Sequence, residues 1–218
     1  MLDRWSRLAP LTGIVFVGLL VATFAVGGST PGVHATGLKV LSFYKAHHSQ
    51  QMASDFLGAV GVVFLLFFAA ALRTYLRRVE GARPLAALGF GGAVVLGIGG
   101  AIFSALSWAL ADARNTLDPS AAQALNVLSN DFFWPFAVGV AVFGIGYGLA
   151  IARSGALPRW LGWIAFVLGI LGVTPIAFFG FLGLLAWSLV VSALLYARGG
   201  SSHPTPAGAP GTVGNTGR

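Results

Sequence analysis

The sequence predicts an all-α, membrane-embedded bundle of six transmembrane helices with two short amphipathic helices on its outer side. Three observations carry this prediction. Of 218 residues, 56% are hydrophobic and 9% charged, with mean hydropathy +0.83, so there is too little polar surface to solvate a globular domain of this size. The apolar residues gather into six stretches, and the Lys and Arg of the connecting segments fall almost wholly on alternate connections.

A helix needs about 20 apolar residues to cross a hydrocarbon core roughly 30 Å thick. The first candidate runs from about Pro10 to Gly28, behind Arg4 and Arg7. Ala25 and Gly27 would make a passable signal-peptide cleavage site, but the apolar run is longer than a signal core, so it reads as a retained span. Span two starts near Ser54, stays apolar to Leu72 and is expected to continue as helix through Arg73, Arg77 and Arg78 until Gly81. Span three opens with Pro84 in its first turn and reaches about Ala111, long enough to tilt. Span four follows Asp131 and ends by Arg153. Spans five and six, Pro158 to Val173 and Ile176 to Ala197, form a tight hairpin turning at Thr174 and Pro175. Residues 1–198 therefore read as one six-helix transmembrane domain. Residues 199–218, rich in Gly, Ser, Thr and Pro, read as a disordered cytoplasmic tail.

Sorting the basic residues by connection places Arg4, Arg7, Arg73, Arg77, Arg78, Arg83, Arg153, Arg159, Arg198 and Arg218 on one side, against Lys39, Lys45 and Arg114 on the other. By the positive-inside rule both termini are cytoplasmic, and the expected location is a bacterial plasma membrane. Aromatic residues fit the same frame. Trp5, Tyr75, Trp160, Trp163 and Tyr196 belong to the inner interface, and Tyr44, Trp108 and Trp134 to the outer.

Each outer connection carries a short helical pattern. In residues 37–51, Leu38, Leu41 and Tyr44 recur at helical spacing opposite Lys39, which predicts an amphipathic helix in the headgroup region. In the second connection, Asp118 before Pro119 predicts a capped helix over about 119–128. Asp55 and Asp131 also sit where a helix N-terminus favours negative charge, so all three are expected to cap.

No catalytic, cofactor-binding or metal-binding residue is predicted. The chain has no cysteine, which excludes disulfides and thiolate metal sites. His34, His47 and His48 share one connection, but adjacent histidines on a helix point apart, and a metal site needs three or four converging ligands. The polar groups inside the spans reduce to Thr12, Thr23, Ser104, Ser107, Tyr147, Ser188 and Ser192, with no ionisable side chain at mid-depth, which argues against ion-coupled transport. A net charge of +7 does not signify nucleic-acid binding, because the basic residues lie between apolar spans rather than on one face. Small residues recur instead. Gly89, Ala93, Gly97, Ala101, Ala105 and Ala109 form a stripe at four-residue spacing, echoed by Gly144 with Gly148 and by Ala165 with Gly169, which predicts close helix packing within the bundle or between copies.

The run Phe43, Tyr44, Lys45, Ala46, His47, His48, and the run from Ser154 through Pro158, Arg159 and Trp160 to Trp163, set within this order of spans, resemble the six-span integral membrane proteins of high-GC Gram-positive bacteria. That resemblance covers roughly residues 5 to 197. It implies a plasma-membrane helical bundle and brings no activity or catalytic residue with it. The functional expectation is a non-enzymatic component that uses its outer cap and bundle to bind lipid, a hydrophobic molecule or a partner membrane protein, with self-association into a homo-oligomer as one form of that partnership. A permease or exporter for a small apolar solute is the alternative. An outward-facing metal-dependent enzyme, built on the loop histidines and acids, comes third.

Overall fold

The computed structural model describes residues 8–131 and 133–200. Among them the chain is predominantly helical, without strands. A 3-10 turn over Ala9–Leu11 leads into α1 (Thr12–Gly27), followed by α2 (Gly37–Ala46), α3 (His48–Leu76) and α4 (Arg83–Asp112). Then come α5 (Pro119–Asp131), α6 (Phe133–Ser154), α7 (Arg159–Leu171) and α8 (Ala177–Gly200). Five segments are long and apolar enough to cross a membrane: Ala9–Gly27, His48–Leu76, Arg83–Asp112, Pro119–Ser154 and Ala177–Arg198.

Six helices pack as a ring in which α1 neighbours α3, α3 neighbours α4, α4 neighbours α6, α6 neighbours α7, and α8 closes against α7 and α1. Phe16, Leu65, Leu96, Val140, Phe143, Phe181 and Leu185 fill its centre and leave a narrow apolar crevice that Ser188 also lines. Phe143 sits edge-on to both Tyr147 and Trp187, at centroid separations of 5.1 and 6.1 Å. Two polar ties cross the apolar interior. Tyr147 donates its hydroxyl to the Ala69 carbonyl at 2.7 Å, joining α6 to α3, and Trp187 Nε1 donates to the Leu161 carbonyl at 2.9 Å, joining α8 to α7. Each spares a polar group from unsatisfied burial in hydrocarbon.

Glycine makes the α4, α6 and α7 contacts possible. A Cβ on Gly92 would strike the Phe143 backbone nitrogen, and one on Gly146 would strike the backbone of Gly89. On the opposite side of α6, a Cβ at Gly144 would stand 2.7 Å from the Ala165 carbonyl oxygen, and one at Gly148 would stand 2.6 Å from the Phe166 nitrogen. Backbones that approach this closely gain dispersion contacts that lipid cannot match. The paired small residues of α6 and α7 thus meet each other. The long stripe on α4 divides. Gly89 and Ala93 are buried against α6 and Gly97 abuts Val62 of α3, whereas Ala101, Ala105 and Ala109 are exposed. A four-residue repeat drifts around a helix of 3.6 residues per turn, so one stripe cannot follow one neighbour over six turns.

Other boundaries also differ from the sequence reading. Helix α3 begins at His48, six residues before Ser54, and ends at Leu76, before Arg77 and Arg78, with a turn then closing on Gly81 at φ 81°. Helix α7 has 13 residues, or roughly 20 Å at 1.5 Å per residue, short of a full crossing by itself. It stops where Gly172 packs against Val140 and Ala141 of α6, and a turn hydrogen-bonded from Val173 and Thr174 back to Ile170 and Leu171 leads through Pro175 into α8. Helix α8 runs to Gly200, beyond the predicted Ala197. The tail assigned to 199–218 lies, from residue 201 on, outside the described residues.

Arginine marks one end of the bundle. Arg198 Nη1 donates to the Ala156 carbonyl at 2.6 Å and Arg83 Nε to the Arg77 carbonyl at 3.2 Å, while Arg73 lies over the Phe90 ring, 5.1 Å from its centroid. The α7–α8 hairpin therefore starts and finishes at this arginine end. Helices α2 and α5 cover the opposite end.

Candidate functional site

The cap at that opposite end is a built substructure with its own core. Val40, Leu41 and Tyr44 of α2 are buried with Leu110 and Ala111 of α4 and Ala122 of α5. Thr36 starts α2 by accepting a hydrogen bond from the Lys39 amide, and Gly37 lies directly against the Pro119 backbone at the start of α5. Asn126 and Asn130 donate to the carbonyls of Gly32 and Pro31, at 3.0 and 3.3 Å, tying α5 to the segment after α1. Within α2 the buried face is Val40, Leu41 and Tyr44, whereas Leu38, expected on that face, is 69% exposed. A face centred between α4 and α5 selects residues 40, 41 and 44, and residue 38 falls outside that arc.

Beneath the cap, polar side chains converge where α1, α3 and α4 meet. Gln51 Nε2 donates to the Gly27 carbonyl at 2.6 Å, and the Ser54 hydroxyl donates to the Thr23 carbonyl at 2.9 Å. Asp55, next along α3, is 6% exposed. The Ser107 side chain of α4 lies beside both Asp55 and Tyr44, so side chains of three helices meet at this point. The second carboxylate oxygen of Asp55, Oδ2, is buried without a hydrogen-bond partner among the described residues. Burial pushes the Tyr44 phenol above its ordinary range, the neighbouring Ser107 hydroxyl opposes this, and the nearby Asp55 charge adds to it. One turn further along the same seam, Ser104 and Thr23 face Gly58, where a Cβ would stand 3.2 Å from the Ser104 hydroxyl.

Of the three acids expected to cap helices, Asp118 does so. Asp118 Oδ1 accepts from the Ser120 hydroxyl at 2.6 Å and from its amide at 2.8 Å, and these two bonds hold the exposed carboxyl below its ordinary range. Asp131 is the last residue of α5 and is exposed. Asp55 lies two turns inside α3, because the helix starts earlier than the apolar run, and its side chain turns into the seam. The histidines stay apart. His34 and His47 are exposed, His47 stacks on Phe43 at 4.5 Å while its Nδ1 lies 3.0 Å from the Phe43 carbonyl, and His48 is half-buried. Among the described residues, no three His, Asp or Glu side chains converge.

Sequence reasoning placed Tyr44 at an interface, Asp55 at a cap and Ser107 among the scattered polar groups of a span, and so missed their convergence. A signal existed: Gln51, Ser54 and Asp55 recur at i, i+3 and i+4, a polar stripe on one helix face, at the start of a long apolar helix. What it faces could be learned only from the packing. Comparison with protein-family models, curated proteins and solved structures gave no match.

Proposed function

We propose that this chain is a non-enzymatic component of a bacterial plasma membrane, of the six-span kind, which binds an anionic lipid at its cap. The cap carries this reading. Its private core holds α2 and α5 in place, while Leu38 of α2 remains exposed on the same short helix as the exposed Lys39 and Lys45, and Leu128 of α5 is exposed too, so the cap offers both apolar surface and positive charge. That pairing suits a headgroup phosphate above acyl chain. The apolar filling of the ring centre favours binding over the permease alternative, which needs a continuous path between the helices.

Photo-crosslinking residues at Leu38 and Leu128 should capture a discrete lipid, and Lys39→Gln with Lys45→Gln should remove it. Adducts like those from the mid-helix position Ile98, which is exposed to bulk lipid, would contradict lipid recognition, and a protein adduct would redirect the proposal to a partner protein.

In the same proposal the chain crosses six times with both termini cytoplasmic, and α7 completes its crossing together with its turn. The exposed Val173, Ile176, Phe178 and Phe179 extend the apolar length at that hairpin, and local thinning of the bilayer accommodates the remainder. Cysteines at Ser49 and Gln123 should then react with an impermeant thiol reagent outside intact cells, whereas cysteines at Gly81 and Ser201 should be protected. Labelling at Gly81 from outside would reverse the orientation.

A further inference from the structure

We propose that Asp55, Ser107 and Tyr44 form a binding site for one small monovalent cation, enclosed between the cap and the α1–α3–α4 seam. Asp55 is nine-tenths buried, its Oδ2 has no hydrogen-bond partner, and its neighbours Ser107 and Tyr44 bring neutral hydroxyls but no positive charge. A buried carboxyl that stays ionised is normally paired with a cation or coordinates one, and ionisable groups inside membrane bundles commonly mark ion sites. Charge balance and hardness define the ligand. One carboxylate with hydroxyl oxygens matches a single positive charge that prefers oxygen, such as Na⁺, while a divalent ion would remain half-compensated. Gln51 and Ser54, committed to the Gly27 and Thr23 carbonyls, brace the helix turn that presents Asp55. The site uses different residues from the lipid surface, so either reading can fail without the other.

The test is thermal unfolding of the purified full chain in detergent at fixed pH and ionic strength, with NaCl replaced stepwise by choline chloride. Because a ligand that binds only the folded state stabilises it by mass action, the melting temperature of the parent should rise with NaCl and saturate. Ser107→Ala should need about tenfold more Na⁺ for half the effect, as for loss of a hydrogen bond to a charged group. Asp55→Asn should show no sodium dependence. Coincident curves in NaCl and choline chloride for the parent would overturn the proposal, as would an unchanged sodium response in Asp55→Asn or a response confined to CaCl₂. If Asp55→Asn does not fold, the parent and Ser107→Ala curves still decide, because neither needs that variant.

Discussion

Gly92→Ala should destabilise the purified protein by about 1 to 3 kcal/mol, whereas Ala101→Leu, a much larger addition on the same helix, should melt with the parent. The difference lies in what the added atoms meet. A Cβ at Gly92 would strike the backbone nitrogen of Phe143, and a backbone inside a helix cannot step aside as a side chain can, so α4 and α6 must separate along their length. Ala101 is exposed, and added carbon there meets only surrounding lipid or detergent. Separation would also draw α7 out of register, because α6 contacts it through Gly144 and Gly148 on its other side. Thermal unfolding in detergent of the two variants beside the parent checks this. Equal melting of Gly92→Ala and the parent would mean that backbone contact does not hold the ring together.

Trp187→Ala should cost about 3 to 5 kcal/mol and Trp187→Phe much less, in line with large-to-small changes in packed cores. Trp187 is buried where α8 closes on α7, edge-on to Phe143, with its Nε1 hydrogen donated to the Leu161 carbonyl. Two effects compete for the larger share. Hydrogen bonds inside membrane bundles average about 0.6 kcal/mol, so the lost donor is the minor term and the emptied volume the major one. Phenylalanine retains most of the volume and none of the donor, which separates the two contributions. A Trp187→Phe variant as unstable as Trp187→Ala would show that the hydrogen bond dominates.

Most of the architecture was legible because hydrophobicity alone specifies where a chain becomes helix in lipid. The apolar runs from Pro10, from Pro84 and after Asp131 correspond to α1, α4 and α6 within a few residues, and Thr174 with Pro175 marks the turn between α7 and α8. Asp118 capped its helix as its position before Pro119 predicted, since a cap depends on neighbours only two or three residues away. Where partners are distant in the chain, the same reasoning failed. Asp55 and Ser107 are separated by 52 positions, and nothing local to either reveals that they are neighbours. The α4 stripe was visible, but Ala101, Ala105 and Ala109 look no different in sequence from Ala93, which is buried.

By itself the sequence determined the helical class, the apolar segments, six of which it assigned as spans where five are long enough to cross a membrane, the sorting of arginine by connection and the cap on α5. These follow from composition and from interactions within one or two turns. Tertiary structure alone decided which small residues touch, how far α7 extends before α6 stops it, which face of α2 is buried, and that a carboxyl at position 55 meets a hydroxyl at 107 beneath Tyr44. The physical reason is the same in each case: a helix presents all its faces to its own sequence equally, and only the neighbours it packs against determine which face is buried.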